Sequence, residues 1–142
     1  MRTVLTILAA IMLAGCATSP TPIISAEQVP ATAIYGFQNK TAADAGKITI
    51  VRDNGLTGSG CDLTIYVDGK RAAKMASGQK VSLYLEPGNR NIGVGPEFSA
   101  LCGSASIRTT PAEIRAGQDY RFRLSGDMQG FYLAPYIDYG GK

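Results

Sequence analysis

The sequence predicts an all-β fold of about seven or eight strands, a small antiparallel β-sandwich with a small barrel as the alternative for such spacing. Three observations predict it. Apolar and polar residues alternate over short runs, the period of a half-buried strand. Turn-forming residues such as Asp68-Gly69 and Pro87-Gly88 separate those runs. Beyond residue 15 no long stretch keeps the 3.6-residue period of a helix, and the one short helical candidate is a turn near 41–45.

Each element follows from its own residues. In KITIVRD, Ile48 and Ile50 share a face. In CDLTIYVDGK, Leu63, Ile65 and Val67 form one row, and Asp62, Thr64 and Tyr66 the other. Asp68-Gly69 supplies the positive φ values of a two-residue hairpin turn, and KRAAKM is the return strand. KVSLYLEPG repeats the alternation, with Val81, Leu83 and Leu85 inward and Ser82 and Tyr84 outward. RNIGVG offers Ile92 and Val94, and SASIRTT is a strand centred on Ile107. Ala116-Gly117-Gln118 turns the chain into DYRFRLS, where Tyr120, Phe122 and Leu124 face one way and Arg121 and Arg123 the other. GFYLAPYI closes the chain as an edge strand, because Pro135 has no N–H for a second neighbour. The aromatic tail of Phe131, Tyr132, Tyr136 and Tyr139 covers the end of the sandwich.

The first residues set the address. Met1-Arg2-Thr3 carries one positive charge, and Val4 to Leu13 is almost wholly apolar. That run of about ten residues is too short to span a bilayer, which takes roughly 20, and has the length of a secretory h-region. Leu13-Ala14-Gly15-Cys16 ends it and resembles the lipobox of bacterial lipoproteins. The resemblance implies a signal peptide over 1–15, cleavage before Cys16, and a diacylglycerol on its sulfur. It implies an anchor of several acyl chains, which holds stably where one chain is marginal. Ala17 stands where an aspartate tends to retain such proteins in the inner membrane, so the expected address is the outer membrane, facing the periplasm. ATSPTPIISAEQVPAT, with its prolines and small residues, reads as a flexible tether, giving 16–32 as lipidated cysteine plus tether and 33–142 as the β-sandwich.

Composition narrows the classes. Arg2 is the only charge in 1–15, so the mature chain keeps 13 of the 14 basic residues against 11 acidic ones. That balance is too mild to predict nucleic-acid binding. With Cys16 acylated, Cys61 and Cys102 remain, and two thiols in an oxidising compartment pair. A loop of roughly forty residues closed by that disulfide adds about 4 kcal/mol in the chain-entropy model. Histidine is absent, which removes Ser-His-Asp and Cys-His catalysis and the usual zinc sites. No cofactor or metal is expected.

LTIYVDGKRAAKMASGQKVSLYLEPGNRNIGV is similar to the PEGA-type surface modules, in which a strand ends at a DG turn and a PG turn precedes another alternating strand. AGQDYRFRL resembles their closing strand. The likeness implies a β-sandwich and carries no activity. LEPGNRNI departs from the family's full tetrapeptide.

Candidate sites are few. Gly55 to Gly60 has glycines at phosphate-loop spacing, but Cys61-Asp62 follows instead of Lys and Ser/Thr, so it reads as a loop. Asp53, Asp68, Glu86 and Asp127 sit beside turn residues, and no pair stands out for acid–base work. Tyr66 and Tyr84 lie on outward rows. On a shared sheet they would form an aromatic strip near Lys70, Arg71 and Lys74, suited to a protein or glycan surface. The expected function is a non-enzymatic, lipid-anchored binding or envelope-structural module. The alternatives are a periplasmic inhibitor of a cell-wall hydrolase and an accessory lipoprotein of a secretion or surface apparatus.

Overall fold

Period-two rows become strands wherever both neighbours supply a ladder. The computed structural model describes residues 18–55, 60–96, 106–127 and 129–138. Nine strands run through these residues. They are β1 (Glu27–Gln28), β2 (Gly46–Arg52), β3 (Leu63–Val67), β4 (Lys70–Met75), β5 (Gln79–Leu85), β6 (Gly88–Pro96), β7 (Arg108–Ile114), β8 (Asp119–Asp127) and β9 (Gly130–Pro135). One sheet has the order β1-β5-β2-β8-β9 and the other β4-β3-β6-β7. The fold is all-β, and most pairings are antiparallel; β1 with β5 and β2 with β8 are parallel.

The apolar rows meet in one core. Ile48, Ile50, Val81, Leu83 and Leu124 come from the first sheet, and Leu63, Ile65, Met75, Ile92 and Val94 from the second. All are fully buried, as their alternation predicts. The DG hairpin forms as expected, with φ 48° at Asp68 and 78° at Gly69. A register shift opposite Ile65 and Tyr66 inserts Ala72 as an extra residue in β4, and Ala72 and Ala73 are both buried.

Several expectations are corrected. The described part of the expected tether, 18–32, is fastened to the sheets, and so is the chain that follows it to residue 37. β1 pairs with β5, Ile34 bridges to Ala73, and the Tyr84 N–H donates to the Phe37 carbonyl. This segment therefore covers β5 of one sheet and β4 of the other, edges that would otherwise present open ladders. Its composition suggested a linker, yet Thr21, Ala26 and Val29 are buried. The turn at 41–45 is not helical, and among the described residues a 3-10 turn forms at Ala31–Ala33 instead. Ile107 precedes β7 rather than centring it, and Pro111 sits within β7, tolerated because β7 is an edge strand. Thr64 lies on the outward row of β3 but is fully buried.

Strand direction gives the molecule two ends. β2 and β8 run in parallel toward Arg52 and Asp127. Arg52 donates to the Met75 carbonyl and, at 2.7 Å, to the Cys61 carbonyl, which places the start of β3 at the same end. The opposite end holds Gly46, Leu85 and the Asp68 turn.

Candidate functional site

The Asp68–Gly69 turn is held from three sides. Its N–H donates to the Asn91 carbonyl at 2.9 Å, and the Asn91 N–H donates to Asp68 Oδ1 at 2.9 Å. Arg90 Nη1 donates to Asp68 Oδ2 at 3.1 Å. The same guanidinium donates through Nε to the Glu86 carbonyl at 3.1 Å and approaches the Glu86 carboxylate at 3.6 Å. The β3–β4 hairpin is thereby latched to the start of β6 and to the β5–β6 turn. The Asn91 N–H, above all, holds the Asp68 carboxyl below its ordinary value of 3.8; slight burial opposes it, and Arg90 and Lys70 add to the lowering.

A shallow cleft lies on each flank of this turn. One, of about 360 Å³, opens on the outward face of the second sheet between Tyr66, Asn91 and Ile107. Gly93 makes its floor: a Cβ there would stand 3.0 Å from Ile107 Cγ2 and 3.4 Å from Tyr66 Cβ. The other, of about 280 Å³, lies where the two sheets meet and is lined by Phe37, Lys70, Tyr84, Glu86 and Arg90. Asp68 borders both.

The expected aromatic strip is therefore corrected. Tyr66 is on β3 and Tyr84 on β5, strands of different sheets, so the rings do not share a face. Lys70 joins Tyr84 in the second cleft. Arg71 stands over the Tyr35 ring, 4.5 Å from its centroid, a partner the sequence did not indicate. The structure thus divides the four candidates between two clefts and a cation–π pair. Cys16, Cys102 and Tyr139 lie outside the described residues.

A second polar cluster sits at the opposite end, where no local sequence pattern marks it. Asp53, which precedes the turn residues Asn54-Gly55, is buried. Arg123 Nε donates to its two carboxylate oxygens at 2.8 and 2.7 Å, and Nη2 lies 2.6 Å from Oδ2. Ser125 Oγ donates to Oδ2 at 2.7 Å, and Thr18 Oγ1 at 3.3 Å. The bond to Asp53 raises the Arg123 pKa, against partial burial. The neighbouring Arg52 is buried inside the sheets' end, over the Phe131 ring at 5.8 Å. Burial lowers it to about 10, with Asp62 opposing, so it keeps its charge at neutral pH. The one signal that points to this cluster is the pairing of β2 with β8, which brings together residues 70 apart in sequence.

The two clusters differ in what they offer chemically. The Asp53 carboxylate is filled by donors and fastens the chain. The clefts present aromatic faces, a lysine and carboxylates to an incoming surface. Among the described residues no group of three or more His, Cys, Asp or Glu could hold a metal ion. No protein family matches the sequence, and no curated protein matches it.

Proposed function

We propose that this chain is an outer-membrane lipoprotein, anchored through acyl chains on Cys16, whose periplasmic β-sandwich is a non-enzymatic binding or envelope-structural module. The observation that carries the binding role is the pair of clefts flanking one latched hairpin turn. Each contains a tyrosine, and the Tyr84 cleft adds Lys70 and Arg90. Tyrosine and arginine are enriched where proteins meet partners, because a rigid amphipathic ring buries area at low entropic cost. The partner class that fits is an envelope protein or glycan. The lipobox-like Leu13-Ala14-Gly15-Cys16 supports the anchor. A Cys61–Cys102 staple belongs to the same reading, supported by the two thiols that remain once Cys16 is acylated.

Tyr66→Ala and Tyr84→Ala test the binding role separately. Both side chains are partly buried, so each variant's melting temperature is recorded beside its capture, and capture is compared where both proteins are folded. Cross-linked capture from envelope preparations should fall about tenfold or more for the variant whose cleft is used, as central interface tyrosines carry about 2 kcal/mol. Undiminished capture by both variants would place the contact elsewhere.

A further inference from the structure

We infer that the Thr18 end of the molecule is held against the lipid surface, so that the Asp68 end with its two clefts points away from it. The inference rests on the lipoprotein reading of Cys16 and concerns how closely that anchor holds the domain.

Chain length decides how far the domain can turn. A tether over 16–32, fully extended, would reach about 55 Å and leave the domain free to turn. The observed chain is fastened from its first described residue. Thr18 Oγ1 donates to Asp53 and lies 3.5 Å from the Gly126 carbonyl. Ser19 and Asn54 exchange two backbone hydrogen bonds, and the Asn54 N–H also donates to Thr21 Oγ1 at 3.1 Å. Further on, the Ile23 N–H donates to the Tyr136 hydroxyl at 3.1 Å, and Lys80 Nζ donates to the Ile23 carbonyl at 2.8 Å. The strap is thus pinned at Thr18, Ser19, Thr21 and Ile23 before it enters β1.

Two Cα–Cα steps separate Cys16 from Thr18, so the acylated residue stays within about 7.6 Å of Thr18. β8 alone, at nine residues, is about 30 Å long. That covalent reach is about a quarter of a strand's length, too short to let the domain turn over. Thr18 sits at the end where β8 finishes and the β8–β9 turn begins, and Gln129 of that turn is exposed. The lipid headgroups are the occupant that this link dictates for that end. Asn89, exposed at the start of β6, lies at the far end beside the Asp68 latch.

The chain has no tryptophan, so one introduced indole reports from one place. Full-length acylated Gln129→Trp and Asn89→Trp are reconstituted in phosphatidylethanolamine–phosphatidylglycerol vesicles carrying a nitroxide on part of their headgroups. The expected result is loss of most of the Gln129→Trp emission, with Asn89→Trp emission unchanged. A flexible Gly/Ser spacer inserted after Ala17 should restore the Gln129→Trp emission. Equal quenching at both positions, or quenching that survives the spacer, would overturn the orientation while leaving the anchor standing. A chain that carries no acyl group and does not float with the vesicles would overturn the anchor itself.

Discussion

Asp53→Ala should be among the most damaging single substitutions outside the apolar core. It removes a carboxylate that is 3% exposed and leaves the Arg123 guanidinium without its anionic partner and the buried Ser125 hydroxyl without its acceptor. Breaking a buried ion pair from one side costs about 3–5 kcal/mol, because the remaining charge stays desolvated. The Arg123 side chain is 32% exposed and recovers some hydration, which favours the lower end, about 3 kcal/mol. At about 4 °C per kcal/mol for a domain of this size, the melting temperature should fall by about 10–15 °C. Arg123→Leu in the Asp53→Ala background should recover part of the loss, since no unpaired charge then remains. Calorimetric melting of the three proteins at neutral pH and moderate salt is the assay. A parent-like melting temperature for Asp53→Ala would refute the reasoning, as would a double variant no better than the single one.

Gly46→Ala should cost about 1–3 kcal/mol, because its Cβ would stand 2.6 Å from Ile114 Cγ2 and 3.0 Å from the Arg115 carbonyl; an unshifted melt would mean the β7–β8 turn yields freely. Asp68 has its carboxyl lowered in the folded chain, so its contribution is fully present well above pH 3.8 and is lost as pH falls below 3.8 toward the folded value. Asp68→Asn should flatten the acid limb of the stability profile in that window, and superimposable profiles would count against the latch. Alkylation should leave Cys61 and Cys102 untouched until reductant is added, and reduction should lower the melting temperature by an amount corresponding to about 4 kcal/mol; thiols reactive without reductant would remove the staple.

The strands were legible because their information is local. The rows Leu63-Ile65-Val67 and Val81-Leu83-Leu85 bury as written, and Asp68-Gly69 turns as its residues demand. Which strands become neighbours is decided at long range. Tyr66 and Tyr84 lie 18 positions apart on rows of the same kind, yet the chain changes sheets between β4 and β5. For the same reason Asp53 and Arg123 carried no warning, since only the parallel pairing of β2 with β8 unites them. The strap differs from the expected tether because prolines and small residues suit both a free linker and an extended segment laid along a sheet edge. What separates the two is packing, here the burial of Thr21, Ala26 and Val29, which composition does not encode.

On the proposed function, the domain is tethered at one end and meets its partner at the other. Photo-cross-linking in intact cells tests it most directly, with a photoreactive phenylalanine placed in turn at Tyr66, Tyr84 and Gln129. The account predicts a discrete protein or glycan adduct from position 66 or 84, and lipid adducts alone from position 129. A discrete macromolecular adduct from position 129, with none from 66 or 84, would contradict it.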